Sequence, residues 1–552
     1  MTPEPSGRYL RELLGVPFSE AQLDIATHPL TPQLVVAGAG SGKTAVLAAR
    51  VVHLVAWHGV APGAVLGLTF TNKAAGELAD RVRTGLAARG SSTGSSTHSS
   101  TRTATGIGEP PYAERPYTGS PYAEPPYSEP ADDELPTVTT YHAYAASLVA
   151  DHALRIGREP ATQLLTEASR WQLAGRVVRA ADGPFVHLDW QTRTVVQYLL
   201  DLDAEMAEHL VTVADVRACD EALLSAVTGT PGAPATVRRI AAAAAAREEL
   251  LDLVEAYRRR KAALDLLDFG DQVSIAAEIA RRCPEVAGMQ RERFPVVLLD
   301  EYQDTGVAQR VLLSALYGDG HPVTAVGDPC QSIYGWRGAS VGNLLRFPEH
   351  FHRPGGDRCR PQFLMTNYRG GERLLRVANA VSGELRSPAA GARRPHLDVP
   401  LLHADPATVT PGMVVTALHR TVEEEATWVA EQVQRSIAEE QTAPGQVAVL
   451  CRRRADFPLL HAALADCGLP VEVVDLGGLL AMPEVADVVA TLEVLADPTA
   501  NAALVRLLTG PRWRLGARDL DAPGRRAAGL AAFEAGGPRL LDPANQHVAL
   551  NP

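Results

Sequence analysis

Residues 34–50 constrain the fold of this chain more than any other stretch. Leu34-Val35-Val36 reads as a buried strand, Thr44 through Arg50 as a helix, and between them lies Ala37-Gly38-Ala39-Gly40-Ser41-Gly42-Lys43-Thr44. A strand feeding a glycine-rich turn and then a Lys-Thr helix start is the layout that cradles phosphate. The loop N–H groups and the helix N-terminus face the anion, the Lys43 ammonium reaches the outer phosphates, and the Thr44 hydroxyl can hold Mg2+. The competing explanation is a glycine turn that happens to precede Lys-Thr. Composition weakens it, because Lys43 is one of three lysines against 49 arginines. A compact ammonium suits the interior of such a loop better than a planar guanidinium fork. The first position is Ala37 where the strict pattern has Gly.

A chain of 552 residues is too long for one core and calls for three or four domains or subdomains. Its 46% hydrophobic and 21% charged residues are those of a globular protein. No apolar run is long enough to span a bilayer, and Met1 to Leu10 lack a signal-peptide layout, so no membrane partner and a cytoplasmic location are expected. Six scattered cysteines without a C-x-x-C pair give no support to a zinc site, an iron–sulfur cluster or a disulfide framework. A net charge of −12 argues against a general basic coat but leaves local phosphate-binding grooves open.

Along the chain, α/β patterning over residues 1–88 includes a second strand, Val65 to Phe70. Composition then shifts to Ser/Thr/Gly and to a five-residue Pro-Tyr repeat at Tyr112, Tyr117, Tyr122 and Tyr127. That stretch reads as an expanded linker, with a ligand for a proline-recognising or DNA-stacking partner as the alternative. Residues 137–280 are helix-rich. Two apolar strands follow, Val296–Leu299 ending in Asp300-Glu301 and Val323–Val326 ending in Gly327-Asp328. Acids at strand C-termini fit the ligand edge of a parallel sheet. Asp300 can hold Mg2+ and Glu301 can polarise an attacking water. Further strands are expected near Met413–Leu418 and Val447–Cys451.

The order and wording of these elements resemble superfamily 1 DNA helicases of the UvrD/Rep/PcrA type. Phe18-Ser19-Glu20-Ala21-Gln22 resembles the adenine-reading segment, with Gln22 as reader. Leu68 to Ala75 resembles a DNA-contacting element carrying Phe70, Thr71, Asn72 and Lys73. Thr140-Tyr141-His142 resembles a Thr-Phe-His DNA contact through Thr140 and His142, and Asp268-Phe269-Gly270-Asp271 an Asp-Phe-x-Asp element. Gly327 to Ala339 is the most specific match. The resemblance implies that Gln331 senses the γ-phosphate while Tyr334, Trp336 and Arg337 lie beside DNA, where flat rings stack on bases of any sequence. In Asn367-Tyr368-Arg369 it implies an adenine-packing Tyr368 and an arginine finger, Arg369.

The implied fold is α/β: a P-loop NTPase with two RecA-like parallel-sheet motor domains and inserted helical subdomains, 1B and a partial 2B. The expected divisions are 1–88 (1A, first part), 89–133 (insert), 134–150 (1A, DNA-contact segment), 151–265 (helical 1B), 266–355 (1A, second part), 356–475 (partial 2A) and 476–552 (start of 2B). The implied activity is ATP- and Mg2+-dependent 3′→5′ translocation on single-stranded DNA and at duplex junctions, in repair or recombination. Gly327–Ala339 and Asp300–Thr305 are similar to motor subunits of the AdnAB helicase–nuclease kind, which adds a possible partner subunit. Two later family segments, of Thr-x-His-x-x-Lys-Gly-Leu-Glu and Tyr-Val-Ala-x-Thr-Arg-Ala type, are not in the sequence. A truncated chain is therefore expected. The alternative function is a motor-deficient ATP- and DNA-binding fragment or regulatory subunit. A P-loop kinase or signalling GTPase leaves Asp300–Asp304 and Gln331–Arg337 unexplained.

Overall fold

The computed structural model describes residues 4–93, 135–159, 163–188, 190–228, 234–386, 399–407, 411–474, 483–496 and 500–534. The Pro-Tyr repeat and Leu476–Leu480 lie outside them. The chain divides into two compact units, Met1–Val414 and Val415–Pro552.

The first unit is built on six parallel strands: β1 (Gln33–Ala37), β2 (Val65–Thr69), β3 (Thr137–Thr140), β4 (Val296–Leu299), β5 (Val323–Gly327) and β6 (Gln362–Leu364). Their order across the sheet is β3-β2-β4-β5-β1-β6. Every residue of β1, β2, β4 and β5 is buried, as expected of strands covered on both faces. Alternation divides the covering layers. Leu34, Val297 and Leu299 enter one apolar cluster, and Val35, Val296 and Leu298 enter the other.

The helices that position the site are α1 (Glu20–Ala26), α2 (Lys43–Trp57), α3 (Asn72–Thr93), α4 (Tyr141–His152), α5 (Glu167–Ala180), α6 (Thr192–His209), α7 (Val213–Thr228), α8 (Ala235–Ala263), α9 (Phe269–Arg282) and α10 (Val307–Tyr317). α4, α9 and α10 supply Tyr144, Ile275 and Leu312 to the first cluster, and α2 supplies Leu47 and Val51 to the second. α5 to α8 form a helical insertion between β3 and β4 in the chain, with its own core around Leu199, Leu251 and Tyr257.

His53 of α2 is buried and stacks on Trp57 with ring centroids 5.3 Å apart. Burial, then His58 and Arg50, lower its pKa from 6.5 to about 4. Between those values the unfolded chain binds the extra proton. The stability that neutral His53 contributes is therefore complete above the unfolded value and lost as pH falls towards the folded one. The denaturation midpoint is expected to drop between about pH 7 and pH 5, and His53→Gln to shrink that drop. Urea titrations at both pH values check this; an unchanged drop would assign the acid sensitivity to other groups.

Two departures from the sequence expectations concern strands. Gln362–Leu364 pairs with β1, so the first sheet extends past residue 355. Thr366–Asn367 then pairs with His403–Ala404 in a separate two-stranded ladder. Met413–Leu418 and Val447–Cys451 form no strand, and Leu418 and Leu450 are almost fully exposed. An apolar, β-branched run becomes a strand only when a neighbour satisfies its backbone groups, and no described residue pairs with either run. In the second unit, helix Val422–Glu439 packs on Phe457–Asp466, and Pro483–Ala496 packs on Asn501–Thr509. Arg506 Nε meets Asp487 Oδ1 at 2.9 Å across the latter pair. No helix among the described residues is long and apolar enough to cross a membrane.

Candidate functional site

The carboxyl end of β1 opens into the glycine-rich loop, and α2 begins at Lys43 itself. Gly42, the helix N-cap, has φ +82°, a left-handed conformation that L side chains avoid. A β-carbon there would also press on Gln22 Nε2 at 2.9 Å. At Gly40 a β-carbon would overlap the Asn367 amide. Ser41 Oγ is buried without a hydrogen-bond partner. A tight loop at a helix N-terminus, with an unsatisfied hydroxyl and no side chains in the way, fits a phosphate group.

Lys43 Nζ donates to Glu301 Oε2 at 2.8 Å and Oε1 at 3.0 Å. The lysine side chain is only 12% exposed, so its ammonium is aimed inward and held. Asp300 directly follows β4 and is buried. Burial lifts its carboxyl to about 6; Glu301 adds to the rise and Lys43 opposes it. A carboxylate so poorly solvated gains from a cation at its side. Tyr141 donates its hydroxyl hydrogen to the Asp300 carbonyl at 3.0 Å, tying β4 to α4. Glu301 has φ +48°, an uncommon conformation for a non-glycine residue that turns its side chain back to Lys43.

Gln303 carries no role in the sequence reading yet joins the acids. Its Nε2 donates to Glu301 Oε2 at 2.8 Å, and its Oε1 accepts from the Asp328 N–H at 3.0 Å. Asp328 in turn accepts from Gln331 Nε2 at 2.6 Å. Glu301 and Gln331 are thus the two ends of one hydrogen-bonded chain running from β4 to β5. Asn367 is a second such residue. Its Nδ2 donates to the Ala39 carbonyl at 2.6 Å, and its Oδ1 accepts from the N–H groups of Arg369 and Gly370 at 2.8 and 2.6 Å. Tyr368 N–H donates to the Gly40 carbonyl at 2.9 Å. The Asn-Tyr-Arg turn is therefore fastened to the phosphate loop by its backbone, with Tyr368 and Arg369 exposed. The only sequence signal for Gln303 and Asn367 was their position inside recognised motifs.

Gln22 is placed differently from a free adenine reader. It is buried, accepts from Ser19 N–H at 2.9 Å in a capping box of α1, and donates to the Ser41 carbonyl at 2.9 Å. Thr44 lies on the first turn of α2.

The residues expected at DNA collect beside this region, at the ends of β2 and β3 and on the loop after β5. Phe70 and Tyr334 rings lie 4.5 Å apart, and the Arg337 guanidinium lies 4.6 Å from the Trp336 ring centroid. Trp336 is 72% exposed and Phe269 56%, unusual for large apolar side chains. His142 meets Phe269 edge-on at 6.4 Å. Its pKa is lowered by burial and then by Arg337, so it favours the neutral ring. Thr71, Asn72 and Lys73 are exposed at the start of α3. The Thr140 hydroxyl accepts from Ala143 N–H at 3.2 Å and caps α4. Phe269, next to the Asp268 cap of α9, joins this surface without having been assigned to it from sequence. Among the described residues no cluster of His, Cys, Asp or Glu forms a separate metal site.

The UvrD/REP helicase N-terminal domain matches residues 18–352, and the UvrD-like helicase C-terminal domain matches residues 363–530. The chain is 28% identical to the ATP-dependent DNA helicase UvrD1 of Mycobacterium tuberculosis (strain ATCC 25618 / H37Rv) over 94% of its own length and 56% of the relative's. It is 26% identical to DNA helicase II of Escherichia coli (strain K12), over 91% of this chain and 58% of that one. With the ATP-dependent DNA helicase PcrA of Leuconostoc citreum it shares 25% identity, over 89% and 54%. The chain thus spans little more than half the length of these relatives. The match to the N-terminal domain alone covers well over half of the chain, and the chain belongs to the UvrD/REP helicase family.

Proposed function

We propose that this chain is an ATP-dependent DNA helicase or translocase that moves 3′→5′ on single-stranded DNA, in repair or recombination. One observation carries the proposal. The loop after β5 holds Gln331, hydrogen-bonded into the acidic site, and three residues on holds Tyr334, whose ring lies tilted against Phe70 with centroids 4.5 Å apart. One short loop therefore belongs to both regions. A change at the γ-phosphate would shift the aromatic side chains, and a bound strand would shift Gln331.

In this reading Lys43 and the loop N–H groups hold the phosphates of ATP, and Thr44 and Asp300 hold Mg2+. The metal, when bound, supplies charge neutralisation at the phosphates. Glu301 turns from Lys43 to orient the attacking water, Arg369 reaches the γ-phosphate and Tyr368 offers its ring to adenine. Gln22 would read adenine by exchanging one of its two present hydrogen bonds. Phe70, Thr71, Asn72, Lys73, Thr140, His142, Tyr334, Trp336 and Arg337 line the path of single-stranded DNA, and duplex junctions are the substrate for unwinding. The likeness of Gly327–Ala339 to helicase–nuclease motor subunits supports a nuclease-bearing partner as a narrower reading.

Trp336→Ala is expected to weaken single-strand binding by about 1–3 kcal/mol, roughly 5- to 150-fold in Kd. Fluorescence anisotropy with a labelled oligothymidylate reads this. The function itself is tested by ATP hydrolysis with and without single strands, and by unwinding of duplexes tailed at either end. Stimulated hydrolysis with unwinding from the 3′ tail is expected. Binding of ATP and DNA without unwinding would favour the regulatory-subunit alternative, and hydrolysis indifferent to DNA would overturn both.

A further inference from the structure

Glu208 lies at the carboxyl end of α6, in the helical insertion, distant in sequence from every motif above. Its side chain leaves that insertion and enters the sheet domain between two glycines. One is Gly306, just before α10 and two residues after Asp304; the other is Gly338, directly after the Gly335–Arg337 turn. A β-carbon on Gly306 would overlap Glu208 Oε1, and one on Gly338 would overlap Glu208 Cγ. Both positions leave room for this one side chain.

The two segments it touches are already braced against each other. Ser340 N–H donates to the Thr305 carbonyl at 3.0 Å. Asn343 Nδ2 donates to the carbonyls of Thr305 and Gly306 at 2.8 and 2.9 Å. Glu208 is the wedge from outside that meets both. Its Oε1 is buried without a hydrogen-bond partner. Burial lifts its carboxyl to about 7; the N–H groups of Ala308 and Val307 oppose the rise and Glu205 adds to it. The carboxyl therefore faces the first N–H groups of α10, and the two glycines set the shape of the space its stem fills.

We propose that Glu208 is a positioning residue that holds the Tyr334–Arg337 turn against the segment following the Asp300–Asp304 acids, so that the seating of the helical insertion governs how strongly DNA stimulates ATP hydrolysis. The inference rests on the function proposed above. Coupling of this kind is carried by packed contacts shared by both responding elements, and Gly306 and Gly338 around one side chain make such a contact.

The test compares wild type, Glu208→Ala and Glu208→Gln in steady-state ATP hydrolysis with and without saturating oligothymidylate, with melting temperatures alongside. Glu208→Ala is expected to lower the stimulation factor about fivefold, while the DNA-free rate and the KM for ATP stay within about twofold. Glu208→Gln keeps the shape and is expected to restore most of the stimulation. Unchanged stimulation in Glu208→Ala overturns the inference. So does an equal fall in the basal and stimulated rates, which marks general packing, or a glutamine variant as impaired as the alanine one, which marks the charge and not the wedge. A wild type that hydrolyses ATP without responding to DNA removes the functional proposal and this inference with it. A responsive wild type with an unaffected alanine variant removes only the inference.

Discussion

Lys43→Ala is expected to abolish ATP hydrolysis, lowering the stimulated rate by at least about 10²–10³-fold, the usual cost of losing one preorganised group at developing charge. Lys43 begins α2 directly after a left-handed Gly42, and its ammonium is aimed at Glu301 by two hydrogen bonds. Charge placed there in advance needs no reorganisation when phosphate charge shifts. Arginine should not rescue it, because a wide planar fork does not fit where a compact ammonium ends a side chain only 12% exposed. Phosphate release with saturating single strands measures the loss, and retained DNA binding shows that the fold survives. A Lys43→Ala protein keeping a tenth of the activity would remove Lys43 from the mechanism.

The second large effect is on stability. Lys261→Met is expected to cost about 3–5 kcal/mol, the usual penalty for leaving buried charges unpaired. Lys261 Nζ lies 3.1 Å from Asp203 Oδ2, 3.2 Å from Asp268 Oδ2 and 2.8 Å from Asp271 Oδ2. Burial opposes its charge, but Asp203, Asp271 and Asp268 together outweigh burial and hold its pKa above the usual lysine range. Arg258 also pairs with Asp203, and Arg170 with Asp268. Asp268 and Asp271 form the capping box that starts α9, while Asp203 belongs to α6. One ammonium thus joins the helical insertion to the helix that returns to the sheet. Methionine fills the volume but leaves three carboxylates with fewer cations. The change should appear as an early transition in urea and as faster hydrogen exchange at the start of α9. Wild-type exchange there in the variant would reduce the cluster to a surface-like pair.

Much of the candidate nucleotide site was legible because the features that mark it are local. The phosphate loop needs only consecutive backbone N–H groups and a helix start, so Gly38 to Thr44 declare it within one turn of chain. Asp300-Glu301 was legible for the same reason, at the end of an unbroken apolar strand. Gln303 and Asn367 were not, because each works by linking segments whose proximity no local pattern states. Asn367 reaches back to Ala39 across 328 residues. Glu208 had no signal at all: a glutamate near a helix end is ordinary, and only the two glycines closing on it make it particular. The strands expected at Met413–Leu418 and Val447–Cys451 failed for the converse reason. Their residue types suit a strand, but strand formation is settled by a neighbour and not by composition.

By itself the sequence determined the candidate groups and their order, since Lys43, Asp300, Glu301, Gln331 and Arg369 each sit in a short element that can be read without a fold. It also showed that two of three lysines fall in such elements, Lys43 and Lys73. Only the tertiary structure decided what those groups do to each other. The order β3-β2-β4-β5-β1-β6 gathers the ends of β4, β5, β1 and β6 around the glycine-rich loop and leaves the ends of β2 and β3 for the aromatic surface. It closes the 258 residues between Lys43 and Glu301 to one ion pair. It also gives the third lysine, Lys261, a buried place among three carboxylates. Parallel pairing is non-local, and which strand lies beside which is a choice among whole sheets that no stretch of residues makes alone.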